Sequence, residues 1–170
     1  MLSIVAMRIV RAAKDRGSIV MPKVGTLLAG GIVLVALLFG IGMWYAQQRS
    51  FYDPVEGLES VRIGDRDFAV TGYEGTDGIT SPLKLRGCFR LADPDAAIAA
   101  GRAATDAVPL TTPDWIECFD ENAIHADIQA GRATAIMAGD DEGDGADLYM
   151  AIYPDGRAFQ WRQPNAKYRK

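Results

Sequence analysis

The sequence predicts an α+β fold: an N-terminal transmembrane helix followed by a small antiparallel-sheet domain with two helices. Three observations carry that prediction. An uncharged stretch of 22 residues runs from Val24 to Tyr45. The chain after it alternates apolar and polar residues with the two-residue period of half-buried strands. Two short segments in its middle open on aspartates placed as helix caps, Asp93 and Asp120.

The apolar stretch VGTLLAGGIVLVALLFGIGMWY would span about 33 Å as a helix, against a hydrocarbon core of about 30 Å. Lys23 closes one end; Trp44, Tyr45, Gln47, Gln48 and Arg49 close the other, with the aromatic pair where an interfacial belt belongs. A cleaved signal peptide fits poorly, because bulky Trp44 would stand at the −3 position of a cut after Ala46. Residues 21–49 therefore read as an uncleaved anchor. The small residues Ala29, Gly30, Ala36 and Gly40 permit close helix packing, a weak signal in a span of this composition.

Charge sets the expected orientation. Arg8, Arg11, Lys14, Arg16 and Lys23 precede the span, while Arg49, Arg62 and Arg66 follow it among Asp53, Glu56, Glu59 and Asp65. The positive-inside rule then places the N-terminus in the cytoplasm and the domain in the periplasm. Met21-Pro22-Lys23 reads as a natural start, which would make residues 1–20 a mis-assigned extension; the alternative is a basic amphipathic segment on the inner leaflet. From Ser50 onward there are 12 basic and 21 acidic residues. That acidity argues against nucleic acid as a partner, since phosphate binding depends on Lys and Arg, and the domain as a whole would be repelled by anionic lipid.

Residues 50–59, with Pro54 and Gly57, read as a juxtamembrane linker, and residues 60–164 as the domain. Val61–Ile63 and Phe68–Tyr73 read as a hairpin about the turn at Gly64 to Asp67, or as two short edge strands. Leu83–Leu91 alternates as a strand, with a bulge expected at Gly87 because Cys88 falls out of phase. Asp93-Pro94 opens a helix expected to run through the alanine-rich DAAIAAGRAATDA. Asp120 caps a second helix over residues 121–130 that ends at Gly131. Ala133–Ala138, Leu148–Tyr153 and Ala158–Arg162 complete an antiparallel meander, and residues 165–170 form a polar tail.

Cys88 and Cys118 are the only cysteines. An even pair in an extracytoplasmic domain is a disulfide by default. A redox pair would show Cys-x-x-Cys spacing, and zinc would need more ligands than His125, the sole histidine, supplies. Two buried thiols remain the alternative for a cytoplasmic domain. The loop closed by the bridge is worth roughly 3–4 kcal/mol in the chain-entropy picture.

No catalytic, metal or cofactor site is expected. Asp140, Glu142, Asp144 and Gly145 match the first places of a calcium loop, but Ala151 stands where a bidentate Glu is required, so a solvated acidic turn is the better reading. His125 has only ordinary helix neighbours, Glu121, Asp127 and Gln129, and none of the nucleophile or phosphate-loop motifs is present. Among the aromatic residues, Trp115, Phe119 and Trp161 are the candidates for a binding surface, although aromatics at such positions are more often core.

The segments Arg86-Gly87-Cys88-Phe89, Pro113-Asp114-Trp115-Ile116-Glu117-Cys118-Phe119-Asp120 and Asp155-Gly156-Arg157-Ala158-Phe159-Gln160-Trp161, with the start at Met21-Pro22-Lys23, resemble an uncharacterised family of small membrane-anchored alphaproteobacterial proteins. The resemblance covers most of residues 21–162 and implies a bacterial envelope setting with no established activity. The expected function is that of a non-enzymatic protein of the inner membrane, anchored through residues 24–45, whose periplasmic domain binds an envelope protein. A ligand or ion sensor, or an enzyme with an unrecognised site, are the alternatives.

Overall fold

The computed structural model describes residues 21–78, 80–140 and 145–168. They fall into two compact units that divide between Gln47 and Gln48. The expected extension over residues 1–20 and the middle of the acidic loop lie outside the described residues.

The first unit holds helix α1, Met21–Tyr45, and a wide helical turn follows over Ala46–Ser50, within which the two units divide. Ile32, Val33, Leu34 and Val35 are consecutive, so they point in directions about 100° apart, and each is more than half exposed. A helix apolar on every side is one that is buried all round, in a large core or in a membrane, and none of this span is buried within the described chain. It is long and apolar enough to cross a membrane.

The second unit is an antiparallel sheet flanked by two short helices, the α+β architecture expected. Its strands are β1 (Asp53–Glu56), β2 (Ser60–Ile63), β3 (Arg66–Asp77), β4 (Arg86–Leu91), β5 (Arg102–Ala103), β6 (Thr134–Gly139), β7 (Ala146–Ile152) and β8 (Arg157–Pro164). They lie in the order β1-β3-β4-β8-β7-β6-β5, with β2 paired to β3. The helices are α2, Pro94–Ala100, and α3, Glu121–Gln129. Both start as the sequence indicates: Asp93 accepts the Ala96 N–H, and Asp120 accepts those of Asn122 and Ala123. Gly131, at φ 70°, follows the end of α3 in the left-handed conformation that glycine adopts without steric cost.

Four details differ from the sequence reading. The linker over residues 50–59 is in part a strand, because β3 runs on to Asp77 and offers an edge on which β1 pairs, Asp53 against Asp77 through Glu56 against Glu74. Pro54 is tolerated there because an edge strand can spare an N–H. Helix α2 stops at Ala100, and Arg102 and Ala103 pair with Met137 and Ile136 instead; available sheet pairing outweighs the helix preference of an alanine-rich run. Pro82–Lys84 forms a single tight turn capped by Ser81, so β4 begins at Arg86 rather than Leu83. The register against β8 is continuous from Arg86 to Arg90, and the irregularity lies on β3, between Thr71 and Glu74, not at Gly87.

Both faces of the sheet are buried. The Gly64 N–H donates to Ala138 O at 2.8 Å, so the β2–β3 turn reaches β6 across the sheet and curls it. The concave core holds Val61, Ile63, Phe89, Ile136, Met150 and Ile152, with Ala97 of α2. The opposite face carries Cys88, Tyr149, Ala151 and Trp161, covered by residues of the long 104–120 connection and by Ile124 of α3. Burial on two sides explains why Leu148–Tyr153 reads as an unbroken apolar run rather than an alternating one.

Candidate functional site

The 104–120 segment, with Pro109 and Pro113, has no apolar period to make a helix or strand. Side chains of the sheet hold it in place. Gln163 on β8 donates to Asp106 O at 2.9 Å and accepts the Val108 N–H at 2.8 Å. Ala107, Ile116 and Phe119 of the segment are buried in the core cluster with Tyr149 and Trp161. At its far end Cys118 is joined to Cys88 of β4 by a disulfide, in keeping with the pairing expected from the sequence.

Arg86 is the central polar group under this connection. Only 3% exposed, its guanidinium donates to Leu83 O (2.9 Å), Leu85 O (2.6 Å), Thr111 O (3.0 Å) and Thr112 Oγ1 (3.3 Å). It also lies over the Phe119 ring, 5.7 Å from the ring centre. Carbonyl dipoles and a π face thus replace the water that burial removes. Burial, the largest influence, pushes Arg86 below its ordinary pKa.

The three candidate aromatics separate. Trp161 is fully buried, stacked on Tyr149 at 6.2 Å, and Phe119 is 3% exposed and meets Trp161 edge-on at 6.3 Å. Both are core, so the surface proposed for Trp115, Phe119 and Trp161 together does not form. The β8 register places Trp161 on the covered face, and sequence cannot reveal that cover. Trp115 alone remains at the surface, half-buried. Its indole N–H donates to Gln48 O at 2.7 Å; Tyr52 meets it edge-on at 5.6 Å; Arg49 lies over the ring at 5.4 Å. Beside it, Lys84 Nζ donates to Phe51 O (3.1 Å) and Thr80 Oγ1 (2.9 Å) and lies over the rings of Phe51 and Tyr52. The segment from Gln48 to Tyr52 is therefore clasped to the domain by Trp115 and Lys84, a cluster that sequence reasoning missed. The run of aromatic and basic residues after the apolar stretch is the signal that points to it.

Two other polar arrangements are structural in character. The Tyr153 hydroxyl donates to Asp127 Oδ2 at 2.6 Å, and Arg132 pairs with the same carboxylate. Those hydrogen bonds hold Asp127 below the usual carboxylate range, while burial and the bond to Asp127 push Tyr153 up to about 12. In the concave core, Gln160 donates to the Tyr73 hydroxyl over Gly87, where a Cβ would stand 2.6 Å from that oxygen. His125 Nδ1 is closed off from solvent with no hydrogen-bond partner among the described residues. Among the same residues no three His, Cys, Asp or Glu side chains converge as a metal site.

Residues 58–170 match a family of unknown function, DUF6446. The chain belongs to that family. An uncharacterised family is what the cysteine contexts suggest, and the DUF6446 region takes in both cysteines, the 104–120 connection and every strand from β2 onward. Helix α1, the clasped Gln48–Tyr52 segment and β1 precede it. No curated protein and no solved structure matches the chain significantly.

Proposed function

We propose that this protein is a non-enzymatic, single-span module of the bacterial envelope, with α1 in the inner membrane, the N-terminus cytoplasmic, and the DUF6446 domain in the periplasm binding a partner protein. The observation that carries the reading is the disulfide-pinned 104–120 connection. It seals the second face of the sheet, and a cross-linked connection of this kind belongs to an oxidising compartment. An all-round apolar helix on the same chain supports an anchor there. The excess of Lys and Arg before the helix supports the orientation.

The test is to cross-link the tagged full-length protein in cells, solubilise it in mild detergent and identify what is retained. One abundant, reproducible envelope protein is expected. Turnover of a substrate by the purified protein, lost on His125→Ala, would sink the non-enzymatic reading.

A further inference from the structure

We propose that Trp115, together with Arg49 and Lys84, forms a contact with phospholipid headgroups that holds the DUF6446 domain against the bilayer carrying α1. The inference rests on the reading that α1 spans that bilayer.

Chain length limits how far the cluster can stand from the bilayer. Trp115 is hydrogen-bonded to the backbone of Gln48, three residues beyond Tyr45, where the helix ends. Three residues reach at most about 10 Å even when fully extended. The headgroup layer on each side of the hydrocarbon core is about 5–8 Å deep. If Tyr45 sits at the edge of that core, Trp115 is within reach of the headgroups, and the tilt of the domain decides whether it meets them. Phe51, whose carbonyl receives Lys84, is six residues beyond Tyr45 and so within about 20 Å.

The chemistry of the cluster suits that depth. Trp and Tyr concentrate at the membrane interface because one part of each ring system is apolar and another is polar. Phe51 is 44% exposed, an apolar side chain without cover in the domain. Arg49 and Lys84 have no carboxylate partner among the described residues, although the chain from Ser50 onward has 21 acidic side chains to offer. They are left with aromatic faces and neutral oxygens, and their charge remains available to phosphate. The acidity of the whole domain does not cancel this, since exposed charges beyond about 8–10 Å are screened at physiological salt. The exposed carboxylates of Asp114 and Glu117 on either side of Trp115 oppose deeper insertion, so the contact stays at headgroup level.

The chain has three tryptophans, Trp44, Trp115 and Trp161, and the last is fully buried. Full-length protein would be reconstituted into phosphatidylcholine–phosphatidylglycerol vesicles, with and without bromine high on the acyl chains, which quenches nearby indole emission. The Trp115→Phe variant reports on Trp44 and hence on the span. The Trp44→Phe variant reports on Trp115 and hence on docking, with Trp161 as an unquenched background in both. Both variants are expected to lose emission in the brominated vesicles. Adding Arg49→Glu and Lys84→Glu to Trp44→Phe is expected to abolish the Trp115 loss, since each basic side chain near an anionic surface is worth roughly fivefold in binding. Quenching of Trp44 without quenching of Trp115 would leave the span standing and overturn the docking. Quenching of Trp115 that survives the charge reversal would overturn the assignment to lipid phosphates. No quenching of either would refute the span, and the docking with it.

Discussion

Reducing the Cys88–Cys118 bond is expected to lower the stability of the domain by about 3–4 kcal/mol. The bond closes a loop of sequence separation 30, and loop-closure entropy for a ring of that size gives about 3.7 kcal/mol at 25 °C. For a folding unit of roughly 120 residues the entropy of unfolding is about 0.25 kcal/mol per degree, so the melting temperature should fall by about 15 °C. Reduction is a cleaner perturbation than substitution, because both side chains stay in place and no cavity opens beside Trp161 and Phe119. The assay is tryptophan-fluorescence melting of the full-length protein in detergent, oxidised, reduced, and as Cys88→Ala/Cys118→Ala. Reductant should lower the melting point of the native protein and leave the double variant unmoved. A shift on reduction below about 4 °C would refute the entropic argument, because the reduced unfolded chain would then gain little freedom from losing the bond.

Further outcomes follow from single residues. Arg86→Met should cost about 2–4 kcal/mol by leaving buried carbonyls without donors. It should also open the 104–120 connection to proteinase K, read by the position of the first cuts; trypsin would not report, since no Lys or Arg lies between Arg102 and Arg132. Gly87→Ala should cost about 1–3 kcal/mol through overpacking against the Tyr73 hydroxyl and Gln160, seen as a lower urea midpoint. Tyr153→Phe should flatten the pH profile of stability at both ends. Asp127 is depressed in the folded state, so its contribution is present above the ordinary carboxylate pKa and is lost as pH falls through the folded value. Tyr153 is raised, so its contribution is present below its ordinary value of 10.0 and is lost as pH rises toward about 12. Parallel urea-midpoint profiles for the native protein and the variant would contradict both.

The parts of this structure that were legible in the sequence are those that local chemistry decides. Asp93 and Asp120 cap their helices by bonds within three residues, and the turn at Gly64 and Asp65 joins β2 to β3 by nearest-neighbour pairing. The uncharged run of α1 needs no partner to be recognised. The parts that were misread depend on distant chain. Residues 53–56 became a strand only because β3 extends to Asp77, and α2 ended early only because β6 offers Arg102 and Ala103 a partner. The candidate site failed in the same way. Phe119 and Trp161 have the composition of a binding surface, but Phe119 belongs to a 17-residue connection with no regular structure that folds over Trp161 and buries both.

Trp115 has other neighbours than the aromatic face the sequence suggests with Phe119 and Trp161: its partners are Gln48, Arg49 and Tyr52, more than sixty residues earlier. That separation has a consequence for the architecture. A soluble domain gains little from tying a tryptophan to the backbone of its own leading segment, because that segment would fray at little cost. The contact has value where the leading segment is itself held, as it is when the preceding helix lies in a membrane. Holding the indole on that segment then shortens the free chain between the helix and the first strand. Arg49, Lys84 and Trp115 are thus the residues at which the Gln48–Tyr52 segment can be released from the domain.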